Sequence, residues 1–148
     1  MRKNNYYFVF SSYRRTDENL NPLLCDFIVP KRVNYFDLLK TCPISCLTAI
    51  YDTKPYGKFY MPNIAKRQDY ALWLRILKKV DYAYGIQEPM ARYRIRKNSV
   101  SRNKWRAAYY QWRIYREIER LPLSTSFYYF FHYFINGLKK YWLHNMRF

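Results

Sequence analysis

An aspartate, Asp69, stands directly ahead of an apolar run of helical period in the stretch 66–77, Lys-Arg-Gln-Asp-Tyr-Ala-Leu-Trp-Leu-Arg-Ile-Leu. Tyr70, Trp73, Leu74, Leu77 and Val80 recur at i, i+3, i+4, i+7 and i+10, one face of a helix. The spacing puts Asp69 at the N-cap or in the first turn. There its carboxylate can accept a bond from an unpaired backbone N–H and face the positive end of the helix dipole. One reading is a cap. The other is a general base, a carboxylate fixed at the rim of a rigid helix with a cationic pair, Lys66 and Arg67, just before it. Residue types alone leave both open.

A second reactive stretch is Tyr93-Arg94-Ile95-Arg96-Lys97-Asn98-Ser99-Val100-Ser101. It offers cations and hydroxyls at a strand end, where guanidinium groups can hold a diphosphate through paired, charge-assisted bonds. A solvated basic loop is the alternative. From 92 to 120 there are ten Lys or Arg against two acids, a density beyond that of an ordinary soluble face. The three cysteines, Cys25, Cys42 and Cys46, are followed by no Cys or His pair at zinc spacing. They read as free thiols in a reducing compartment, buried small hydrophobes rather than metal ligands.

The elements that must position these groups follow from periodicity. Residues 6–13, Tyr-Tyr-Phe-Val-Phe-Ser-Ser-Tyr, read as a buried strand. After a turn over Asp17 to Pro22, Cys25 to Val29 forms a second strand, and the two make a hairpin. Tyr35 to Lys40 is a short helix capped by Asn34, and Thr41 to Cys46 is a loop. Leu47 to Tyr51 is a strand, and Asp52 to Met61, with Pro55 and Gly57, is an exposed connection to the central helix. Asp81 to Ile86 and Met90 to Ile95 are two strands separated by a turn at Glu88-Pro89. Residues 103–120 are a basic helix whose stripe of Trp105, Ala108, Tyr109, Trp112, Tyr115 and Ile118 is a packing surface. Residues 124–142 are a last helix, capped by Ser124.

The chain of 148 residues is one domain's worth, half apolar and 22% aromatic, so it can bury a core and is not disordered in composition. With 3 Gly it carries no glycine-rich nucleotide fingerprint. A formal net charge of +17 calls for an anionic partner: nucleic acid, a membrane surface or phosphorylated substrates. The basic N-terminus lacks the apolar core of a signal peptide, and no run of 18 uninterrupted apolar residues occurs. A basic nucleic-acid-binding module is one competing reading, although the aromatics fall on apolar stripes and no nucleic-acid motif is present. A module that binds a membrane surface without catalysis is another. In the last helix Phe127, Phe130, Phe131, Phe134 and Trp142, with Lys139 and Lys140, suit an amphipathic helix in a membrane interface.

A Gln-Asp-Tyr step opening a Leu-Trp-Leu helix, followed some two dozen residues later by Tyr-Arg-x-Arg-x-x-Ser-x-Ser, resembles bacterial family 2 glycosyltransferases, inverting enzymes of the GT-A fold. Asn5 to Tyr13, Cys42 to Thr48 and Gly57 to Pro62 fit the same order, so the resemblance covers residues 1 to about 120. It implies an α/β fold, the C-terminal half of a GT-A domain: short strands, a central helix and two long C-terminal helices. It divides the chain into an acceptor-side, base-bearing part over 1–101 and a basic helical extension over 102–148. It implies Asp69 as catalytic base with Gln68 beside it. Arg94, Arg96, Ser99 and Ser101 then contact the donor diphosphate, and Cys42, Pro43, Ile44, Ser45 and Trp73 form the acceptor region. The implied activity is transfer of a sugar from a nucleotide-sugar to a hydroxyl on a saccharide or lipid-linked acceptor, in cell-surface polysaccharide or lipopolysaccharide synthesis. The implied place is the cytoplasm, peripheral on the inner face of the membrane. The family uses a divalent metal, Mg or Mn, held by an Asp-x-Asp motif in its N-terminal, nucleotide-binding half. No Asp-x-Asp occurs in this sequence, which begins where that half would end, and many members have His where Arg96 stands. The expectation is a chain that holds no metal itself, needs a separate N-terminal half, and is marginal or inactive alone.

Overall fold

The computed structural model describes residues 6–96 and 104–145, the side chains of 104 and 140–145 excepted. Its elements are β1 (Phe8–Thr16), β2 (Pro22–Phe27), β3 (Arg32–Val33), α1 (Tyr35–Lys40), β4 (Ile50–Tyr51), α2 (Gln68–Leu77), β5 (Ala83–Arg94), α3 (Lys104–Arg113), a π-helical turn (Ile114–Ile118) and α4 (Leu123–Asn145). This is a mixed α/β architecture, as expected.

β1 is the central strand, and its sequence shows why. Phe8, Val9, Phe10, Ser11 and Ser12 are buried without alternation, the mark of a strand covered on both faces. β5 runs parallel to it on one side, and β3 continues the sheet beyond β5. On the other side β1 meets β4 at Phe8 and Val9 and β2 at Tyr13 to Thr16, both antiparallel. Between those two partners, side chains complete the ladder. The Thr48 hydroxyl donates to the Ser11 carbonyl (3.0 Å) and accepts its amide (3.2 Å), and Ser12 Oγ accepts the Val29 amide (3.0 Å). The two serines inside an apolar strand are therefore paired polar groups.

Four expectations change. The first strand runs to Thr16, and the second starts at Pro22, as the first residue of an edge strand can. The Leu47–Tyr51 strand shrinks to two residues, because Thr48 spends its side chain on β1. The two strands expected around Glu88-Pro89 are one twelve-residue strand. Its register against β1 jumps from Ser11↔Ile86 to Ser12↔Pro89, a bulge that absorbs the proline. β3 pairs only with Ala83 and Tyr84, so Pro89 breaks no ladder on that side.

The third helix also differs. It ends at Arg113 and passes into the π-helical turn, which inserts a residue and rotates the buried face. Tyr110, Gln111, Ile114 and Tyr115 pack inward, whereas Trp105 is 89% exposed and Tyr109 58%. The expected Trp105–Tyr109 packing stripe is therefore solvent-facing at its N-terminal end. α4 starts at Leu123, one residue before the expected Ser124 cap.

The core forms where α2 lies against the sheet. Seven of its ten residues are buried, and Trp73 packs on Phe8 at 5.3 Å between ring centroids. α1 is six residues long and is fixed at both ends. Asn34 Oδ1 accepts the Asp37 amide (2.8 Å) while Asp37 Oδ2 accepts the Asn34 amide (3.2 Å), a reciprocal capping box. At the other end three carbonyls find side-chain donors from three elements. Tyr70 Oη donates to Leu38 O (3.2 Å), Tyr115 Oη to Leu39 O (2.5 Å) and Asn136 Nδ2 to Lys40 O (3.3 Å). Glu119, its side chain 2% exposed, accepts from Tyr35 Oη and pairs with Lys78 Nζ at 2.6 Å.

Two expected outcomes follow from these contacts. A Cβ on Gly85 would lie 2.0 Å from the Pro30 carbonyl oxygen, where the Gly85 amide bonds the Lys31 carbonyl at 2.8 Å. Gly85→Ala should cost about 1–3 kcal/mol, read as a lower urea midpoint at unchanged m-value. Burial raises the hydroxyl of Tyr115 to about 12 and lifts Tyr70 well above its ordinary value; burial, then the Glu119 carboxylate, raises Tyr35. Above about pH 10 the unfolded chain releases these protons and the folded one keeps them, so stability falls as pH rises through 10 toward 12. Urea melts at pH 8, 10 and 11 should show a falling midpoint above pH 10, and a flat midpoint would contradict it.

Candidate active site

α2 carries the candidate base. Its N-cap is Arg67, in the left-handed region at φ 62° and without a side-chain cap bond. Asp69 is therefore in the first turn and is not the cap. It is half-buried, and its Oδ1 accepts the Tyr70 amide at 2.8 Å, a bond that engages one of the two carboxylate oxygens. Gln68 opens the helix and is half-buried. Behind them Ala71, Leu72, Trp73 and Leu74 are locked in the core, so the carboxylate rides on a rigid element. Arg67 is held from two sides, with its guanidinium 5.1 Å from the ring centroids of Tyr70 and of Tyr133 on α4.

The 41–46 loop runs to this carboxylate. Ile44 is buried in the core, so it supports the loop and does not present a surface to an acceptor. Cys42, Pro43 and Ser45 are half-buried, with Cys42 Sγ donating to the Ile44 carbonyl at 3.5 Å and Ser45 Oγ accepting the Leu47 amide at 3.3 Å. The residue of this loop that lies within the electrostatic field of Asp69 is Cys46. Its thiol is exposed at the surface, and its pKa is raised first by partial burial and then by the Asp69 charge. The cysteines were expected to be buried, but Cys25 and Cys46 are exposed and Cys42 is half-buried, because they sit on an edge strand and in a loop whose residues carry no periodic signal of burial. Trp73, expected on the acceptor side, is 4% exposed and belongs to the core. Its indole N–H is buried without a hydrogen-bond partner among the described residues.

The next residue, Leu47, lines a different feature. Leu20, Leu47, Arg92, Tyr93, Arg94 and Arg96 surround an open groove of about 460 Å³ at the C-terminal end of β5. Arg92, Arg94 and Arg96 stand two residues apart along the strand end, so their guanidinium groups collect at one place. Arg94 and Arg96 were expected there. Arg92 adds a third cation, and the two-residue alternation 92–94–96 was its sequence signal. Cys46, whose thiol feels the Asp69 charge, and Leu47, which lines the arginine groove, are adjacent in sequence. Ser99 and Ser101 lie outside the described residues.

Among the described residues no three His, Cys, Asp or Glu come together as a ligand set, and arginines do not ligate metals. The described residues do not fit a divalent metal.

On α4 the aromatic residues divide between two faces. Phe127, Phe131 and Phe134 are 58%, 63% and 58% exposed, and Lys139 is exposed. Phe130 is turned inward against Trp112 (5.5 Å between centroids) and packs on the core, so it leaves the expected surface set. The side chains of Lys140 and Trp142 lie outside the described residues. No helix among the described residues is long and apolar enough to cross a membrane.

Comparison with known proteins gives sequence relatives. A Bacillus subtilis (strain 168) protein assigned to teichuronic acid biosynthesis as a glycosyltransferase is 43% identical over 133 residues, 90% of this chain and 53% of the relative. Two Escherichia coli UDP-Glc:alpha-D-GlcNAc-diphosphoundecaprenol beta-1,3-glucosyltransferases are 34% and 36% identical, over 95% and 77% of this chain and 54% and 45% of the relatives. The chain spans about half the length of the curated relatives it matches. No protein family model matches it, and no solved structure does.

The proximity of Asp69 and Cys46 is open to test. Removing the carboxylate charge in Asp69→Asn should lower the Cys46 pKa and speed its alkylation by iodoacetamide near pH 8, while Cys25 reacts as before. Equal Cys46 rates in both proteins, followed by peptide mass spectrometry, would place the two groups apart.

Proposed function

We propose that this chain, a homologue of bacterial glycosyltransferases over nine-tenths of its length, carries the base and the acceptor side of an inverting sugar transfer. The donor is a nucleotide-sugar, and the acceptor is a hydroxyl on a lipid-diphosphate-linked saccharide, as the names of the Escherichia coli relatives suggest. The product serves cell-surface polysaccharide assembly at the inner face of the membrane. The observation that supports the reading is a carboxylate on a rigid helix end, its charge felt at Cys46, the residue before Leu47 of the triple-arginine groove.

In this mechanism Asp69 takes the proton of the acceptor hydroxyl as that oxygen attacks the anomeric carbon. The C–O bond to the nucleoside diphosphate breaks on the opposite face, and the bonding pair leaves with the diphosphate. A base on a rigid helix end needs no reorganisation to stay within hydrogen-bond reach of the hydroxyl. Charge develops on the departing diphosphate, and fixed guanidinium groups stabilise it where it forms. Arg92, Arg94 and Arg96 supply that field. Gln68, at the opening of α2, lies beside the base as an orienting amide. The half-buried Cys42, Pro43 and Ser45 form the wall on the acceptor side, with Cys46 at its edge. The donor-nucleotide pocket and the metal of a complete transferase fall to residues outside this chain's own set.

Asp69→Asn keeps the size of the residue and the acceptor for the Tyr70 amide but removes the base. In an assay of labelled sugar transfer from nucleotide-sugar to an undecaprenyl-diphosphate-linked acceptor, this substitution in the active enzyme should lower kcat by about 10²–10⁴-fold. The melting temperature should hold. Near-parental turnover would reduce Asp69 to a structural role and sink the proposal.

A further inference from the structure

Among the described residues three other than glycine have positive φ: Leu20, Arg67 and Arg120. Leu20 sits inside the Asp17–Asn21 turn and Arg120 just after the π-helical turn, ordinary places for a left-handed residue. Arg67 (φ 62°, ψ 29°) instead opens a helix. An N-cap there is normally extended and offers a side-chain acceptor, and Arg67 does neither. Its carbonyl accepts the Ala71 amide at 3.1 Å, the first bond of α2. Glycine would hold this backbone without steric cost.

The side chain carries a second cost. Nη1 of the guanidinium is buried and has no hydrogen-bond partner among the described residues. In return the guanidinium lies 5.1 Å from the ring centroids of Tyr70 and Tyr133, and its charge is felt at the Tyr115 hydroxyl. Those three rings belong to α2, α4 and the π-helical turn, so one side chain ties the first turn of α2 to two other elements. Strain kept at such cost is characteristic of functional sites, and Asp69 follows two residues later. Tyr70 anchors the first turn from the core side through the Leu38 carbonyl. The bond from the Tyr70 amide to Asp69 Oδ1 travels with the turn and cannot anchor it. The leading end of α2 has no side-chain cap, and a bare helix end frays.

We propose that Arg67 is the positioning residue of Asp69. Its contacts with Tyr70 and Tyr133 fix the direction in which the chain enters α2, and so the place where the Asp69 carboxylate leaves the first turn. Use of that carboxylate as a base rests on the sugar-transfer reading, whereas its placement does not.

Alkylation of Cys46 by iodoacetamide in the full chain reports where the carboxylate is, because the Asp69 charge raises the pKa of that thiol. The effect of Asp69→Asn on this rate is measured in three backgrounds: the parent chain, Arg67→Gly and Tyr133→Leu. Comparing the ratios cancels the direct effect of removing the Arg67 charge. Arg67→Gly accommodates the left-handed backbone, and Tyr133→Leu removes one ring and leaves the sequence of α2 intact. In both variants the Asp69→Asn rate ratio should fall toward one, by about half or more. The same ratio in all three backgrounds, or no Asp69 effect in any, would overturn the proposal. In the active enzyme Tyr133→Leu should lower kcat about 10-fold or more and leave KM for the nucleotide-sugar within about twofold. Parental kcat in Tyr133→Leu beside a lost kcat in Asp69→Asn would overturn the proposal and leave the sugar-transfer reading standing. Parental kcat in both, with a falling alkylation ratio, would sink that reading and uphold the placement of the carboxylate by Arg67.

Discussion

Everything in this structure leans on the C-terminal end of a six-residue helix. The last carbonyls of any helix lack intrahelical partners, and at the end of α1 those of Leu38 and Leu39 are bonded in the buried interior and that of Lys40 at its edge. A buried unsatisfied carbonyl costs about 1–3 kcal/mol, so leaving the two buried ones unpaired would remove a large share of a domain's stability. Tyr70 from α2, Tyr115 from the π-helical turn and Asn136 from α4 answer them one by one. The three donors come from segments up to 96 residues away in sequence. α1 is thus the keystone against which the other helices are registered. The π-helical turn is part of that solution, since it brings Ile114 and Tyr115 to the core together. Glu119 with Lys78 and Tyr35 fixes the other side of the same junction through a paired, nearly inaccessible charge.

The candidate site inherits its rigidity from this junction. Tyr70, which serves the Leu38 carbonyl, is the residue after Asp69. The backbone that carries the carboxylate is therefore anchored by the buried bond of its neighbour. Arg67, in a left-handed conformation that costs a non-glycine residue about 1–2 kcal/mol, is clamped between two tyrosine rings. One of those rings belongs to α4. α4 and the head of α2, which carries Asp69, therefore share the Arg67 cation.

The arginine groove obeys a different logic. It is open and polar at a strand end, built from an alternation that places successive guanidinium groups side by side. Nothing in the core demands arginine there. Such a cluster of like charges is self-repelling and favours a nearby anion. The chain spans about half the length of the glycosyltransferases it matches.

Local signals were legible in the residues. The α1 capping box, the Asp17–Asn21 turn, the helical period of α2 and the first-turn place of Asp69 are all set by neighbours within a few positions. The Arg94 and Arg96 pair at a strand end was equally plain, because a two-residue alternation carries its own geometry. Long-range contacts decided the rest. Pro89 reads as a break in isolation, but a bulge against β1 keeps β5 continuous. Trp73 and Ile44 read as site residues and became core, since burial depends on what packs above them. A uniform 3.6 period put Trp105 and Tyr109 in the interior, and the π-helical turn put Tyr110 and Gln111 there instead. Cys46 met Asp69 only because a loop with no periodicity folds back across 23 residues of chain. Periodicity sets which residues share a face, and only the assembled core determines which face is covered.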